Sequence, residues 1–397
     1  MNSDPVARVS PADVLRATMR GPVLTPGDPG YDAARRVWNG SINKNPALVA
    51  RCTGVADVIA ALRVGASHDL PVSVRGGGHS FAGFGTCDDG LVIDLVLMKG
   101  IRVDPRARHV IAQGGVTWGD LDHETAGFGL ATTGGLISTT GIAGLTLGGG
   151  IGWLMRKHGL ACDNLVAADV VTADGQVLHV SADEHPDLFW ALRGGGGNFG
   201  VVTAFEYQLH PVSTVLAGAL VCPGERAAEV MKHYAEWAAD EPDELCTLVE
   251  FATAPDAGFI RQAHRGQPAV FVVLCHCGPP ADAEAAVGRL RAAGRPAGDR
   301  RPRRAHALSG YAVLLRRGLP GRLVVLHQVA LPRQPRQCGR RGTHGCRCRP
   351  ARPVVHRPSP PRGCAVTDRP PDRGVRPPQS PLRRRFRRSV RRRGRLR

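Results

Sequence analysis

The stretch Leu70-Pro71-Val72-Ser73-Val74-Arg75-Gly76-Gly77-Gly78-His79-Ser80 decides the fold of this chain. Residues 72–74 predict a buried strand, because the run is short, rich in β-branched residues and bounded by a proline. Glycine adopts positive φ easily and lets backbone N–H groups approach a ligand. A tight turn with an incidental histidine is the alternative for this stretch alone. The order of strand, Arg75, three glycines and His79 favours a loop that binds a pyrophosphate.

Apolar patterns around this stretch predict an alternation of strands and helices. Residues 53–68 have the 3.6-residue apolar spacing of a helix, and residues 50–52 before them end a strand. Together with residues 72–74 they predict a strand–helix–strand unit. The same reasoning predicts strands at 91–95, 110–113 and 201–209 and a hairpin at 169–181 around Asp174-Gly175.

A second glycine-rich block runs from residue 131 to residue 150. Its hydroxyls and backbone amides can bind phosphate or the polar edge of a ring system without adding charge. A glycine-rich core loop is the alternative interpretation. The presence of this block together with the strand–glycine–histidine stretch makes that alternative harder to sustain.

Two later motifs bear on the type of nucleotide site. Residues 152–164 have the sequence Gly-Trp-Leu-Met-Arg-Lys-His-Gly-Leu-Ala-Cys-Asp-Asn. Further along, Gly195, Gly197 and Gly200 satisfy the G-x-G-x-x-G pattern of a dinucleotide-binding turn, which requires a helix after the glycines. A β-branched run follows here instead, so the sequence argues against an NAD site.

These motifs resemble those of the FAD-linked oxidases with a PCMH-type FAD-binding domain, the berberine bridge enzyme-like and 6-hydroxy-D-nicotine oxidase-like family. Residues 152–164 are similar to the family signature Gly-x-Leu-x-x-Lys-x-Gly-Leu-x-x-Asp-Asn. The resemblance implies an α+β fold with a two-subdomain PCMH-type FAD-binding domain. The patterns and composition of the later residues predict an incomplete α+β substrate domain and a disordered basic tail after it. The resemblance also implies hydride transfer from a substrate C–H next to oxygen or nitrogen to the flavin, with oxygen as the final acceptor.

By the same resemblance, FAD is bound covalently through His79. A second attachment site of some family members would need a cysteine where this chain has Ile137, so only the histidyl bond is expected. Cys162 is expected to be a small buried residue. The resemblance leaves the catalytic base unassigned. The expected cofactor-binding residues are Arg75, Gly76, Gly77, Gly78, His79, Ser80, Thr133, Gly134, Gly135, Ser138, Thr140, Gly141, Gly144, Gly149, Asn164 and Val201.

The expected domains are an N-terminal segment (1–38), the FAD-binding domain (39–214), a partial substrate domain (215–295) and an Arg/Pro-rich tail (296–397). In the partial substrate domain, the apolar patterns predict helices at 225–238 and 282–293 and strands at 247–252 and 270–277. Cys275-His276-Cys277 could suggest a metal site. Alternation along a strand turns His276 away from the two cysteines, so no metal is expected.

The tail differs sharply from the rest of the chain. Residues 296–397 contain 29 arginines, no lysine and three acidic residues, a net charge of +26 within a whole-chain charge of +18. One interpretation is a disordered nucleic-acid-binding arm. A second is a zinc site formed by its cysteines and histidines, whose spacing fits no tetrahedral motif well.

A third interpretation, which we favour, is that the tail is translated out of frame. Arginine without lysine is typical of a GC-rich gene in the wrong frame, and a one-base shift of residues 319–331 can encode sequence that resembles family substrate domains. The short Asn-Tyr segment that closes the FAD site in the family is missing. On this interpretation the apolar faces of residues 247–251 and 270–274 stay uncovered, with loss of solubility and turnover.

Partners and location follow from composition. No run of 18 apolar residues suggests a membrane span, and the N-terminus lacks the features of a signal peptide. Eleven cysteines, an odd number, fit a disulfide framework poorly. The expected protein is cytoplasmic, with a small-molecule substrate and oxygen as partners, and nucleic acid only if the tail is genuine.

Overall fold

Three larger β-sheets organise the part of the chain that the computed structural model describes: residues 9–212, 215–257, 260 and 262–293, and the backbone of 312–317. All of these residues belong to one unit, Met1–Gln334. The interpretations of residues 296–311 and 318–397, including the zinc ligands and the nucleic-acid arm, lie outside the described residues. No helix in the described ranges has both the length and the apolar character needed to cross a membrane.

The helices of these ranges are α1 (Pro11–Thr18), α2 (Tyr31–Arg35), α3 (Val55–Ser67), α4 (Trp118–Ala126), α5 (Ile142–Leu147), α6 (Met155–His158), α7 (Pro186–Leu192), α8 (Ala227–Ala238) and α9 (Pro280–Ala293). The first strands are β1 (Val23–Leu24), β2 (Leu48–Arg51), β3 (Val72–Arg75), β4 (Leu91–Asp94), β5 (Ile101–Asp104), β6 (His109–Gln113) and β7 (Leu130–Ala131). The later strands are β8 (Leu165–Val171), β9 (Val177–Ser181), β10 (Val201–Gln208), β11 (His210–Pro211), β12 (Leu216–Pro223), β13 (Leu245–Thr253), β14 (Pro268–His276) and β15 (Ala312–Arg317).

The first sheet has the order β1-β2-β4-β3 and contains the strand–helix–strand unit predicted from the sequence. Strands β2, β4 and β3 are parallel, as the crossover through α3 requires. The prediction that residues 72–74 are a buried strand was wrong in part. They form β3, but β3 is an edge strand, and Val72 and Val74 are 40% and 36% exposed.

The N-terminal segment packs into the same subdomain. Leu15 of α1 and Val23 of β1 lie in one core cluster with Val58 of α3 and Ile93 of β4. Ser10 caps α1 by accepting a hydrogen bond from the Asp13 backbone N–H at 3.2 Å. The segment before residue 39 therefore shares a hydrophobic core with the first sheet and α3.

The second sheet is antiparallel, with the order β5-β6-β10-β8-β9. Its core includes Trp118, Phe205 and Tyr207, all fully buried. The predicted hairpin is confirmed as β8 and β9, joined through Gly175 at φ +82°. The glycines at 194–200 lead into strand β10 and not into a helix, which confirms the sequence argument against a dinucleotide-binding turn.

The third sheet is also antiparallel, with the order β13-β14-β12-β15. The expectation that the apolar face of residues 270–274 stays uncovered was wrong, because β14 is paired on both edges and helices α8 and α9 pack on one of its faces. Its Val272 and Leu274 pack against residues of α8 and α9, including Trp237 and Leu290. By contrast, β13 is an edge strand, and its Phe251 is 61% exposed, as expected for that segment.

Strand β15 lies inside the segment for which the sequence predicts disorder. Its backbone pairs with β12 in antiparallel register over Ala312–Arg317. For these six residues the prediction was wrong. Sheet hydrogen bonds join main-chain groups, so they form with any non-proline sequence in an extended conformation.

Candidate cofactor site

The two glycine-rich segments touch through their backbones. A Cβ placed on Gly77 would lie 2.2 Å from the backbone nitrogen of Gly141, and one placed on Gly141 would lie 2.2 Å from the backbone nitrogen of Gly77. A Cβ on Gly76 would be 3.2 Å from the carbonyl oxygen of Gly114. Only glycines permit so close an approach. The loop after β3 therefore packs directly against the glycine-rich block before α5.

Arg75, predicted as part of the pyrophosphate loop, turns its side chain beneath the loop. Its guanidinium donates a hydrogen bond to the carbonyl of Ala34. A Cβ on Gly78, which has φ +70°, would lie 3.2 Å from Arg75 Nε. Burial raises the pKa of the nearby Asp94 carboxyl, and the charges of Arg75 and Arg51 oppose that rise. The Arg75 side chain therefore supports the loop from inside the first subdomain.

His79 lies at the exit of this loop, half-buried between two hydroxyls and an aromatic ring. Thr139 Oγ1 is 3.2 Å from Nε2, and Thr140 Oγ1 is 3.2 Å from Nδ1. The indole of Trp38 stacks on the imidazole. Burial lowers the pKa of His79 below its ordinary value, so the neutral ring is favoured. Ser80 next to it accepts a hydrogen bond from the Phe84 backbone N–H at 3.2 Å.

Several buried polar atoms beside the second glycine-rich block have no hydrogen-bond partner among the described residues. They are Thr132 Oγ1, Thr133 Oγ1 and Trp118 Nε1. The Trp118 indole lies against Gly134 and Gly135, where a Cβ would come within 2.8 and 3.0 Å of ring atoms. Buried polar groups are nearly always paired in folded proteins. Their presence beside a glycine cradle fits a ligand with polar edges such as FAD.

The rest of the block forms a fixed loop with one open face. Backbone N–H groups of Gly119 and Trp118 donate to the carbonyls of Ser138 and Thr140 at 2.8 and 2.9 Å. Gly149 has φ +103°, which favours glycine at that position. A Cβ on Gly144 of α5 would meet nothing within 4 Å. A face of α5 is thus open at Gly144, where the family resemblance implies a cofactor contact.

Asn164 and Val201, the last two predicted site residues, have structural contacts. Asn164 is buried, and its Nδ2 donates to the carbonyls of His158 and Leu160 at 3.1 and 2.8 Å. Its Oδ1 accepts from His210 Nε2 at 2.6 Å. These bonds engage every side-chain hydrogen-bonding group of Asn164 and hold α6 against β11. Val201 is buried at the start of β10, opposite Val171.

The motif at residues 152–164 also joins the FAD-binding part to the third sheet. Arg156 donates to the carbonyls of Leu245 and Glu241 at 2.9 and 2.8 Å. Lys157 Nζ is 3.4 Å from Glu244 Oε1. Cys162, within the motif, is buried as expected, and burial raises the pKa of its thiol.

Three residues with clear roles in the geometry were absent from the sequence-based set: Trp38, Thr139 and Arg156. Thr139 lies between two predicted residues and shares their hydroxyl chemistry, so it could have been included. Trp38 lies in no motif, and Arg156 occupies a variable position of the motif at 152–164. Both act through contacts with distant segments, which a local pattern does not indicate. Within the described ranges, no three His, Cys, Asp or Glu side chains are grouped as metal ligands.

Comparison with known proteins agrees with this geometry. Residues 46–181 match the family model of an FAD binding domain. The chain is 37% identical over 282 residues to (R)-6-hydroxynicotine oxidase of Paenarthrobacter nicotinovorans, which covers 71% of this chain and 60% of that protein. The chain thus spans less than two thirds of that relative's length.

Solved structures show the same relationship. The crystal structure of 6-hydroxy-D-nicotine oxidase from Arthrobacter nicotinovorans matches with a TM-score of 0.64 at 36% identity, covering 75% of this chain and 62% of that one. Physcomitrella patens BBE-like 1 matches in fold, with a TM-score of 0.67 at 24% identity, covering 78% of this chain and 63% of that one. Residues 46–181 are therefore an FAD-binding domain of the kind found in FAD-linked oxidases with a PCMH-type FAD-binding domain.

Proposed function

We propose that this chain is an FAD-dependent oxidase that takes a hydride from a substrate C–H next to nitrogen or oxygen. The observation that carries this proposal is the backbone contact of Gly77 with Gly141, which joins two glycine-rich segments beside His79. The flavin supplies the redox chemistry, with oxygen as the final electron acceptor. The chain itself supplies backbone amides, hydroxyls and the unpartnered atoms of Thr132, Thr133 and Trp118 to bind and orient it.

The proposal includes covalent attachment of FAD through His79. In the net reaction a bond forms between an imidazole nitrogen and the 8α methyl carbon, and the imidazole N–H and one methyl C–H bond break. Oxygen takes both hydrogens and their electrons as hydrogen peroxide. The lowered pKa of His79 supports this role, because a neutral imidazole keeps one unprotonated nitrogen. Ile137 occupies the second attachment position of the family, which limits the linkage to one bond.

Flavin content tests the proposal directly. Purified protein should absorb in the flavin bands, and acid-precipitated protein should retain flavin fluorescence. His79→Ala should release the flavin on precipitation. His123→Ala, an exposed histidine on α4, is the matched control and should retain it. Colourless protein that takes up no added FAD would contradict the proposed function. Flavin retained by precipitated His79→Ala would contradict only the attachment.

The proposed substrate is a small molecule. The relative in Paenarthrobacter is named for 6-hydroxynicotine, which makes that compound the first to test. Oxygen uptake and hydrogen peroxide release should be measured with 6-hydroxynicotine, secondary amines and sugars. Peroxide formed in step with substrate loss supports the oxidase assignment. Anaerobic bleaching of the flavin without peroxide formation in air would point to another electron acceptor.

A second candidate function follows from the +26 charge of residues 296–397. An arm of this charge would bind nucleic acid with little sequence preference and with a steep dependence on salt. Titration of DNA with the full chain and with a chain shortened to residue 295 tests it. Equal affinities would exclude the arm. The nucleotide sequence decides the out-of-frame alternative: a one-base change near codons 285–305 should restore a long open frame.

A further inference from the structure

The indole of Trp38 lies nearly parallel to the imidazole of His79. The ring centroids are 5.6 Å apart, and the ring planes differ by 20°, a geometry within the usual range of stacked aromatic pairs. The backbone N–H of Trp38 also donates to the carbonyl of Gly78 at 2.9 Å. Main-chain and ring contacts together fix Trp38 against the loop that carries His79.

Neighbouring contacts keep the Trp38 segment beside this loop. Asn39 Nδ2 donates to the carbonyl of Phe81 at 2.8 Å, and the rings of Trp38 and Phe81 are 5.8 Å apart. Trp38 nevertheless remains 44% exposed. An indole left this open gains only part of the free energy that full burial would bring. Core packing alone therefore does not account for its position over His79.

The imidazole of His79 is held at its edges as well as on one face. Thr139 and Thr140 place a hydroxyl 3.2 Å from each ring nitrogen. A hydroxyl can donate to an unprotonated nitrogen and accept from a protonated one, so the pair suits the neutral ring in either tautomer. A rotation of the imidazole out of its plane would break both hydrogen bonds and the stack with Trp38. Three contacts thus select one orientation.

We infer that Trp38 is a positioning residue for flavin attachment, because its indole helps to hold the reacting imidazole of His79 in one orientation. This role rests on the attachment proposed above. Holding a reacting group in its productive orientation lowers the barrier, and small misplacements can cost about 100-fold in rate. Trp38 contacts the attachment residue and acts only through it.

The rate of attachment in apo-protein tests this role. Apo-protein from riboflavin-limited cells is mixed with increasing FAD, and flavin retained after acid precipitation is followed in time. Trp38→Ala should lower the limiting rate about tenfold, while the FAD concentration at half-saturation changes less than about twofold. Trp38→Phe keeps a stacking ring and should recover most of the rate. Phe84→Ala, which removes a 77% exposed ring of the same loop, is the matched control and should attach at the wild-type rate.

Each outcome decides a different point. Trp38→Ala that attaches FAD at the wild-type rate overturns the role of Trp38 and leaves the attachment intact. Wild-type protein that binds FAD but retains none after acid overturns both. If Trp38→Ala does not fold, Trp38→Leu keeps apolar bulk without a planar ring and carries the same comparison. A tenfold slower attachment by that variant supports the role, and an unchanged rate refutes it.

Discussion

Gly77 and Gly141 face each other so closely that neither can carry a side chain. A Cβ on either residue would lie 2.2 Å from the backbone nitrogen of the other, a separation that real Cβ atoms essentially never show. The neighbouring atoms are backbone and cannot rotate away as a side chain would. The contact ties the loop of the first sheet to the block that precedes α5.

We therefore predict that Gly77→Ala and Gly141→Ala each lower the free energy of unfolding by about 1 to 3 kcal/mol and weaken FAD binding. Chemical denaturation of apo-protein and FAD titration measure the two effects. Gly40→Ala is the control, because a Cβ there meets nothing within 4 Å. Its effect should stay within about 0.5 kcal/mol. Unchanged stability and affinity in both loop variants would contradict the contact.

Gly144 should behave in the opposite way. It lies within α5, and a Cβ there meets no described atom. Alanine in place of a helical glycine stabilises a helix by about 0.5 to 1 kcal/mol. If this face meets FAD, Gly144→Ala should stabilise the apo-protein yet weaken FAD binding at least about fivefold. Gly54→Ala, at an open position before α3, should leave FAD affinity unchanged, and equal affinity in both variants would remove Gly144 from the site.

His79 should contribute a loss of stability in acid. Burial holds its pKa in the folded protein below the ordinary value of 6.5. The unfolded chain therefore binds a proton first, and the folded state loses stability as the pH falls through 6.5 toward the lower folded pKa. His79→Gln should make the pH dependence of the melting temperature of apo-protein shallower in this window. His123→Gln is the control. Other groups should leave a residual slope. Burial also lowers the pKa values of His210 and His276, whereas the hydrogen bond to Asp169 raises the pKa of His179 and burial raises that of Asp122 to about 7, and these two act in the opposite direction.

Arg156 should control the mobility of β13. Its guanidinium donates to the carbonyls of Leu245 and Glu241, and charged donors of this kind contribute about 1.5 to 3 kcal/mol when buried, less when half-exposed as here. Arg156→Met should speed hydrogen–deuterium exchange across Leu245–Thr253. Arg16→Met removes exposed ion pairs with Asp13 and Asp28 in the N-terminal segment and should leave that exchange unchanged. Equal exchange in both variants would rule out the link.

Sequence patterns predicted the elements whose causes are local. The helix over α3 follows from its apolar spacing, and the β8–β9 hairpin follows from a turn that needs Gly175 at positive φ. The run after Gly200 is β-branched, which was enough to distinguish a strand from the helix of a dinucleotide site. Each of these predictions depends on a few neighbouring residues.

Features set by sheet order and by distant contacts could not be predicted in this way. Val72 and Val74 have the composition of a buried strand, but the edge position of β3 exposes them. Arg75 and Asn164 are polar residues in motifs of a binding site, yet their side chains are engaged inside the protein. The stack of Trp38 on His79 joins two segments that share no local pattern.

The way Arg156 holds the third sheet has a consequence for how the two parts of the protein can vary. Both acceptors are main-chain carbonyls, so every amino acid at positions 241 and 245 offers the same group. These two hydrogen bonds depend on the arginine side chain but not on the side chains at 241 and 245, whereas the neighbouring pair of Lys157 with Glu244 depends on a side chain from each part. The part of the chain that contains the third sheet could therefore change its side chains at positions 241 and 245 and still keep both hydrogen bonds to Arg156.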